Sequence, residues 1–294
     1  MPVIDYREVL KGLMVQEAMR RQVIQLPETA FLEQAISYTI KYKVNAILIT
    51  AENQEGLGVV SKTDLMGAYY AGLPLSTACG TVMMGPPLFC RAQDSLDFAL
   101  DTMRGHKVHR LYVRRASANR AMGVLAYPDI VGLLYRYCNR CEMSLRSRTG
   151  ADNPPADQFR IREVMTPEIY AHRENDSLQA VMEGLAAYRF GAVLIQTEAG
   201  RPVGVVSKTD LILAYKHGMT TETKARTIMN VPVQACDGRE PLVAALKTMI
   251  YSDVHRLFVY QESPENLVGV LSLSDVARFR SGTCRACLVS RIIT

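Results

Sequence analysis

Gly58-Val-Val-Ser61-Lys-Thr-Asp64 occurs a second time, letter for letter, as Gly204-Val-Val-Ser207-Lys-Thr-Asp210. The offset of 146 positions holds far beyond this stretch, since Cys138 and Cys141 fall on Cys284 and Cys287 without a gap. Pairing Val15 to Cys141 with Ile161 to Cys287 gives 42 identities in 127 positions, about a third. Average residue usage would give roughly one in sixteen. The chain is therefore a tandem duplication. A repeat this long is two copies of a domain rather than a solenoid of small units, and two such copies can pair about a pseudo-two-fold axis.

A finer period sits inside each copy. Gly58 to Asp64 is echoed 65 residues later by Gly123-Val-Leu-Ala126-Tyr-Pro128-Asp129, and Gly204 to Asp210 by Gly269-Val-Leu-Ser272-Leu-Ser-Asp275. There are four units. Their openings agree as well: Glu17-Ala-Met19, Thr81-Val-Met83, Glu163-Val-Met165 and Thr227-Ile-Met229. Within the first unit, Leu32, Ala35, Ile36 and Ile40 recur at helical spacing, which predicts a helix packed on a sheet. Asn45-Ala-Ile-Leu-Ile-Thr50, a polar turn and Leu57-Gly-Val-Val60 read as a hairpin. Ser61-x-x-Asp64 then has the form of a capping box opening a second helix. Each unit thus reads strand, helix, strand, strand, helix, an α/β (α+β) arrangement.

With 294 residues and 48% hydrophobic content, the chain can bury two cores of ordinary domain size. No apolar run approaches the roughly 18 to 20 residues of a membrane span, and residues 1–11 are too charged for a secretory signal, so a cytoplasmic location without membrane contact is expected. The net charge of +5 is mild and, Arg136 to Arg148 aside, scattered, which argues against a nucleic-acid partner. No phosphate-loop, nucleophile-elbow or HExxH motif is present, and the units leave no room for a catalytic domain, so an enzyme is not expected.

The order of elements, their length and the fourfold Gly-h-h-Ser-x-x-Asp signature resemble the CBS domain, and the resemblance covers nearly the whole chain. It implies two Bateman modules, each a pair of CBS units joined through their sheets, in a pseudo-two-fold disk. The first module spans about 11–141, with units near 11–72 and 75–137; a linker covers 142–157; the second module spans 158–287, with units near 158–218 and 222–281. The resemblance further implies a regulatory sensor that binds an adenosine compound, AMP, ADP, ATP or S-adenosylmethionine, between paired units and acts on a partner protein. Whether one chain completes the disk or two chains stack as a homodimer is open.

A carboxylate on the first turn of a helix can accept hydrogen bonds from two vicinal hydroxyls, and ribose presents such a pair. The resemblance implies that Asp64, Asp210 and Asp275 hold the ribose, with Ser61, Ser207 and Ser272 adding a hydroxyl contact and the helix N-terminus favouring a nearby phosphate. The second unit departs from the pattern, with Ala126 at the serine position and Pro128 before Asp129. The same box is also a plain helix cap, worth about 0.5 to 2 kcal/mol, and the residues leave both uses open. Val108-His109-Arg110 and Val254-His255-Arg256 stand just before apolar strands, where the family commonly binds phosphate; Arg offers a planar fork of donors and His a titrating one. Lys62 and Lys208 are further phosphate candidates, and the small Ala46 and Ala192 allow close backbone approach to adenine.

The cysteines suggest a rival reading. Cys138-Asn-Arg-Cys141 and Cys284-Arg-Ala-Cys287 supply four thiolates in two CxxC pairs, the ligand number for zinc or an iron–sulfur cluster, or else two redox dithiols. The 142 positions between the pairs exceed usual zinc spacings, and the pairs also read as unremarkable cysteines at helix ends, so the alternatives stay open. Cys90 and Cys236 sit beside apolar stretches and are expected in the core, and Cys79 has no cysteine mate.

Overall fold

The computed structural model describes residues 12–114, 120–136 apart from 134, and 160–278 apart from 253. The first unit contributes α1 (Val15–Ala18), β1 (Gln25–Pro27), α2 (Leu32–Lys41), β2 (Ala46–Thr50), β3 (Gly56–Ser61) and α3 (Lys62–Tyr70). The second contributes α4 (Cys79–Val82), β4 (Phe89–Arg91), α5 (Leu96–Gly105), β5 (Arg110–Arg114), β6 (Ala121–Ala126) and α6 (127–133). The third follows with a 3-10 turn (Ile161–Glu163), β7 (Ala171–Arg173), α7 (Leu178–Ala187), β8 (Ala192–Gln196), β9 (Pro202–Ser207) and α8 (Lys208–Lys216). The fourth has a 3-10 turn (Ala225–Thr227), β10 (Ala235–Asp237), α9 (Leu242–Tyr251), β11 (Arg256–Gln261), β12 (Ser263–Ser272) and α10 (Leu273–Arg278).

Each unit forms one three-stranded sheet in sequence order, its first two strands parallel and its last two antiparallel. The parallel step requires a crossover, and the first helix of the unit supplies it. Leu32, Ala35, Ile36 and Thr39 face the core from α2, while Ile40 is only half-buried. Lys43, Lys107 and Arg189 take the left-handed conformation just beyond α2, α5 and α7, with φ of 51°, 56° and 55°, and turn the chain into the next strand.

The cores do not follow the units one by one. One cluster joins units one and three, including Ile36, Ile47, Leu65, Leu178, Leu185 and Leu211. A second joins units two and four through residues such as Leu100, Met103, Ile130, Leu246 and Val276. Within the first module the sheets meet at Leu48, Tyr112 and Val124. At the junction of units one and three, the rings of Tyr69 and Tyr215 stack with centroids 5.0 Å apart. Tyr69 Oη donates to the Met219 carbonyl at 2.8 Å and Tyr215 Oη to the Leu73 carbonyl, a reciprocal pair expected of a pseudo-two-fold axis.

The opening segments are exchanged between the two units of a module. Val15 N donates to Asp94 O and Gln16 N to Ala92 O, so α1 docks on unit two. Cys79 N and Gly80 N donate to Ala30 O and Glu28 O, so α4 docks on unit one. In the second module Ile161 N reaches Glu240 O in unit four, and Ala225 N reaches Asp176 O in unit three. Val15, Cys79, Ile161 and Ala225 are each fully buried in the sister unit's core cluster.

This exchange explains the motif glycines. A Cβ added at Gly58 would stand 2.8 Å from both the Met83 sulfur and the Met84 carbonyl, and one at Gly204 would stand 2.8 Å from the Met229 sulfur and 3.0 Å from the Asn230 carbonyl. Gly123 faces Met19 and Arg20 in the same way, and Gly269 faces Met165 and Thr166. Replacement of Gly204 by Ala should cost about 1–3 kcal/mol through overpacking. Gly67 within α3, where an added Cβ meets nothing within 4 Å, is the control: Gly67→Ala should be neutral or stabilising by up to about 1 kcal/mol. Urea midpoints of the two variants measure the difference.

Candidate functional site

Three of the four boxes close as the residues suggest. Ser61 N and Ser61 Oγ both donate to Asp64 Oδ2 at 2.7 Å. Ser207 N and Oγ donate to Asp210 Oδ2 at 2.7 and 2.6 Å, and Ser272 N and Oγ to Asp275 Oδ2 at 2.9 and 2.6 Å. The cap therefore occupies one carboxylate oxygen. Among the described residues, Oδ1 of Asp64, Asp210 and Asp275 makes no hydrogen bond and no ion pair, and it is not among the buried unsatisfied atoms. A carboxylate has about four acceptor positions, so this second oxygen keeps capacity for further donors.

Arg110 and Arg256 lie elsewhere than on the surface. Arg110 Nη1 donates to the carbonyl of Ala46, and Arg256 Nη1 to that of Ala192 at 2.8 Å. The arginines expected at phosphate and the alanines expected at adenine are thus brought together across the sheet-to-sheet cleft of each module. Burial holds both guanidiniums below the ordinary arginine range, with Asp275 opposing the shift at Arg256. Arg256 Nε is buried without a hydrogen-bond partner. A buried donor left so costs about 1–3 kcal/mol, which an incoming acceptor would relieve. His109 and His255 are exposed at the mouths of these strands, His109 meeting Tyr127 edge to face at 5.6 Å.

Lys62 and Lys208 bridge the modules instead of standing in solvent. Lys62 Nζ donates to Thr209 Oγ1 at 2.7 Å and Lys208 Nζ to Thr63 Oγ1 at 2.9 Å, each reaching the first turn of the other module's helix. Burial and the nearby Arg256 pull the Lys208 ammonium down to about 8, while Asp64 works against them.

A cavity of about 60 Å³ opens between the sheets of the first module, lined by Gln22, Val23, Ile24, Tyr42, Val44, Ala46, Arg110 and Val124, with Arg20 at its side. Its volume gives room for a few waters. Arg20 and the Gln22 to Ile24 stretch carry no signature of their own; only the fourfold alignment of the openings marks the position. Asp129, behind Arg20, forms an ion pair with it at 2.7 Å. Cys90 and Cys236 are buried as expected, with thiols pushed up to about 12 by burial, and Cys79, given no place by the sequence, is also buried and pushed up to about 11. Cys138, Cys141, Cys284, Cys287 and the 142–157 linker lie outside the described residues, among which no metal-binding cluster occurs. No helix among the described residues is long and apolar enough to cross a membrane.

The model of the CBS domain matches four times, at residues 15–71, 79–136, 161–217 and 225–282. The chain belongs to the CBS domain family. It is 24% identical over 180 residues to the uncharacterized protein MJ1225 of Methanocaldococcus jannaschii, covering 60% of this chain and 62% of that one. It is 25% identical over 197 residues to subunit gamma-3 of the 5'-AMP-activated protein kinase of Bos taurus, 62% of this chain but 37% of the bovine one. These matches span less than two thirds of either relative. The crystal structure of MJ1225 superposes with a TM-score of 0.76 at 14% identity, over 91% of this chain and 99% of that one. An uncharacterized conserved protein from Pyrococcus horikoshii gives 0.60 at 15% identity, over 91% and 100%. The four-unit arrangement of CBS pairs is thereby established for this chain.

The bridging lysine has a pH signature. Its folded-state affinity for the proton is depressed, so between about pH 8 and the ordinary lysine value near 10.4 the unfolded chain binds more protons and stability rises with pH. Denaturant midpoints of the wild type should climb across this window relative to Lys208→Met. Parallel pH profiles of the two proteins would remove Lys208 as the cause.

Proposed function

We propose that this chain is a non-enzymatic regulatory sensor that binds AMP, ADP, ATP or S-adenosylmethionine in the clefts between paired CBS units. In this reading Asp64, Asp210 and Asp275 accept the ribose hydroxyls through the oxygen that the helix cap leaves free, with Ser61, Ser207 and Ser272 alongside. Ala46 and Ala192 border the adenine. Arg110 and Arg256 turn from the alanine carbonyls toward phosphate, with His109, His255, Lys62 and Lys208 completing the basic lining. The observation that carries the reading is the coincidence, in one cleft, of a half-free helix-terminal carboxylate, an Arg with a buried idle donor and a small residue's backbone. Similarity to a subunit of a kinase named for its activation by 5'-AMP agrees with it.

The signal would be a change in how the modules meet. Lys62 and Lys208 each adjoin a ribose box on one module while bonding the other, so a phosphate competing for either ammonium alters the inter-module contact. A ligand shifts such an equilibrium by its differential affinity for the two arrangements. The regulated partner is a protein that reads this arrangement in the cytoplasm. The rival switch through the two CxxC pairs rests on cysteines that lie outside the described residues.

The experiment is thermal unfolding of nucleotide-free protein with each adenosine compound, beside a double variant Asp64→Asn, Asp210→Asn. A compound at about a hundred times its dissociation constant adds about 2.7 kcal/mol, which for a chain of this size raises the midpoint by several degrees. The double variant should lose most of that rise. No rise with any compound at millimolar concentration would refute the sensor.

A further inference from the structure

Four residues occupy one structural position. Each follows the methionine of an opening segment, and each exchanges a pair of backbone hydrogen bonds with the valine five residues before a motif aspartate. Arg20 pairs with Val124 ahead of Asp129, Met84 with Val59 ahead of Asp64, Thr166 with Val270 ahead of Asp275, and Asn230 with Val205 ahead of Asp210. The donor-to-acceptor distances run from 2.7 to 3.0 Å at all four, so the backbone holds the four residues in the same register relative to the four motif aspartates.

Their chemistry differs. Asp129 Oδ2 accepts the cap bond from Ala126 N at 2.8 Å, as in the other units, but Oδ1 is taken by Arg20 Nε at 2.7 Å. Both oxygens of Asp129 are thus engaged, and its side chain is 8% exposed while Arg20 remains 46% exposed. Among the described residues, neither Met84, Thr166 nor Asn230 bonds its aspartate. Burial raises the Asp129 carboxyl, and Arg20 opposes that shift, together with the Ala126 amide and Arg110.

We infer that Arg20 is a built-in occupant of the second unit's ribose position, filling with its own guanidinium the acceptor that a diol would use, and that this position decides which of the four clefts accept nucleoside. The inference rests on the sensor reading above and adds to it the rule by which the clefts are made unequal. The cleft that carries Arg20 is the first module's cavity, and Ala46 and Arg110 in its lining serve a nucleoside only where Arg20 has left Asp129. Its counterpart in the second module has Thr166, Asp275 and Arg256 in the corresponding places, with no ion pair across it among the described residues. Ala126 in place of serine removes one contact but leaves the carboxylate cap intact, so it does not by itself silence the site.

The test exchanges the residues between equivalent positions. Sites for AMP are counted by isothermal titration on the intact, nucleotide-free chain for the wild type, Arg20→Thr, Thr166→Arg, and Arg20→Thr combined with Asp129→Asn. Arg20→Met, which copies the residue facing Asp64, serves where the threonine variant does not fold. The expected result is one additional site with Arg20→Thr or Arg20→Met, its loss when Asp129→Asn is added, and one site fewer with Thr166→Arg. An unchanged count in the folded Arg20 variants, with AMP still binding to the wild type, overturns the inference and leaves the sensor standing. An additional site that survives Asp129→Asn also overturns it. Absence of AMP binding in every protein, together with no response to the other adenosine compounds, overturns the sensor and this inference with it.

Discussion

The architecture depends on one close approach: a motif glycine against the methionine and the following carbonyl of an opening segment that belongs, by chain order, to the sister unit. An added Cβ would stand 2.8 Å from a backbone carbonyl at Gly58 and at Gly269 and 3.0 Å from one at Gly204, so a larger residue presses on the opening segment at all three. That contact fixes the opening segment across the mouth of the sister unit's strand and helix. It therefore sets which side chain looks at each motif aspartate. Local packing and site composition are the same fact here, seen from two sides.

The cleft chemistry follows from how few groups must do several things. The Ser-x-x-Asp box satisfies helix N-terminal donors and still retains a carboxylate oxygen. The cleft arginines have settled on the carbonyls of Ala46 and Ala192, neutral acceptors, with Asp129 and Asp275 acting on them only through space. Charged groups in such surroundings are costly unless paired, and the phosphate of the proposed ligand would supply that pairing. The lysines tie the start of each module's box helix to its counterpart, so the boxes and the module interface share the same few atoms.

Much of this was legible in the sequence. The 146-residue period, the element order and the cap geometry of Ser61, Ser207 and Ser272 needed only spacing and residue type, because they are local properties of strand, turn and helix start. The positions of Cys90 and Cys236 followed from the apolar strands they sit in. The exchange of opening segments was not legible, since Glu17-Ala-Met19 reads equally well as the start of its own unit. The Arg20–Asp129 pair was hidden for the same reason: 109 residues separate the partners, and only the exchange brings them together. Lys62 and Lys208 read only as phosphate candidates, because their partners, Thr209 and Thr63, lie in the other copy.

The exchange also bears on how such a chain came to be. A single unit would carry a core with its capping residue missing, since Val15, Cys79, Ile161 and Ala225 each complete the neighbour rather than their own fold. What can be inherited as a stable piece is the pair. Copying a pair keeps every exchanged segment with its acceptor, and a strong 146-residue repeat overlying a faint 65-residue one is the pattern that such copying leaves.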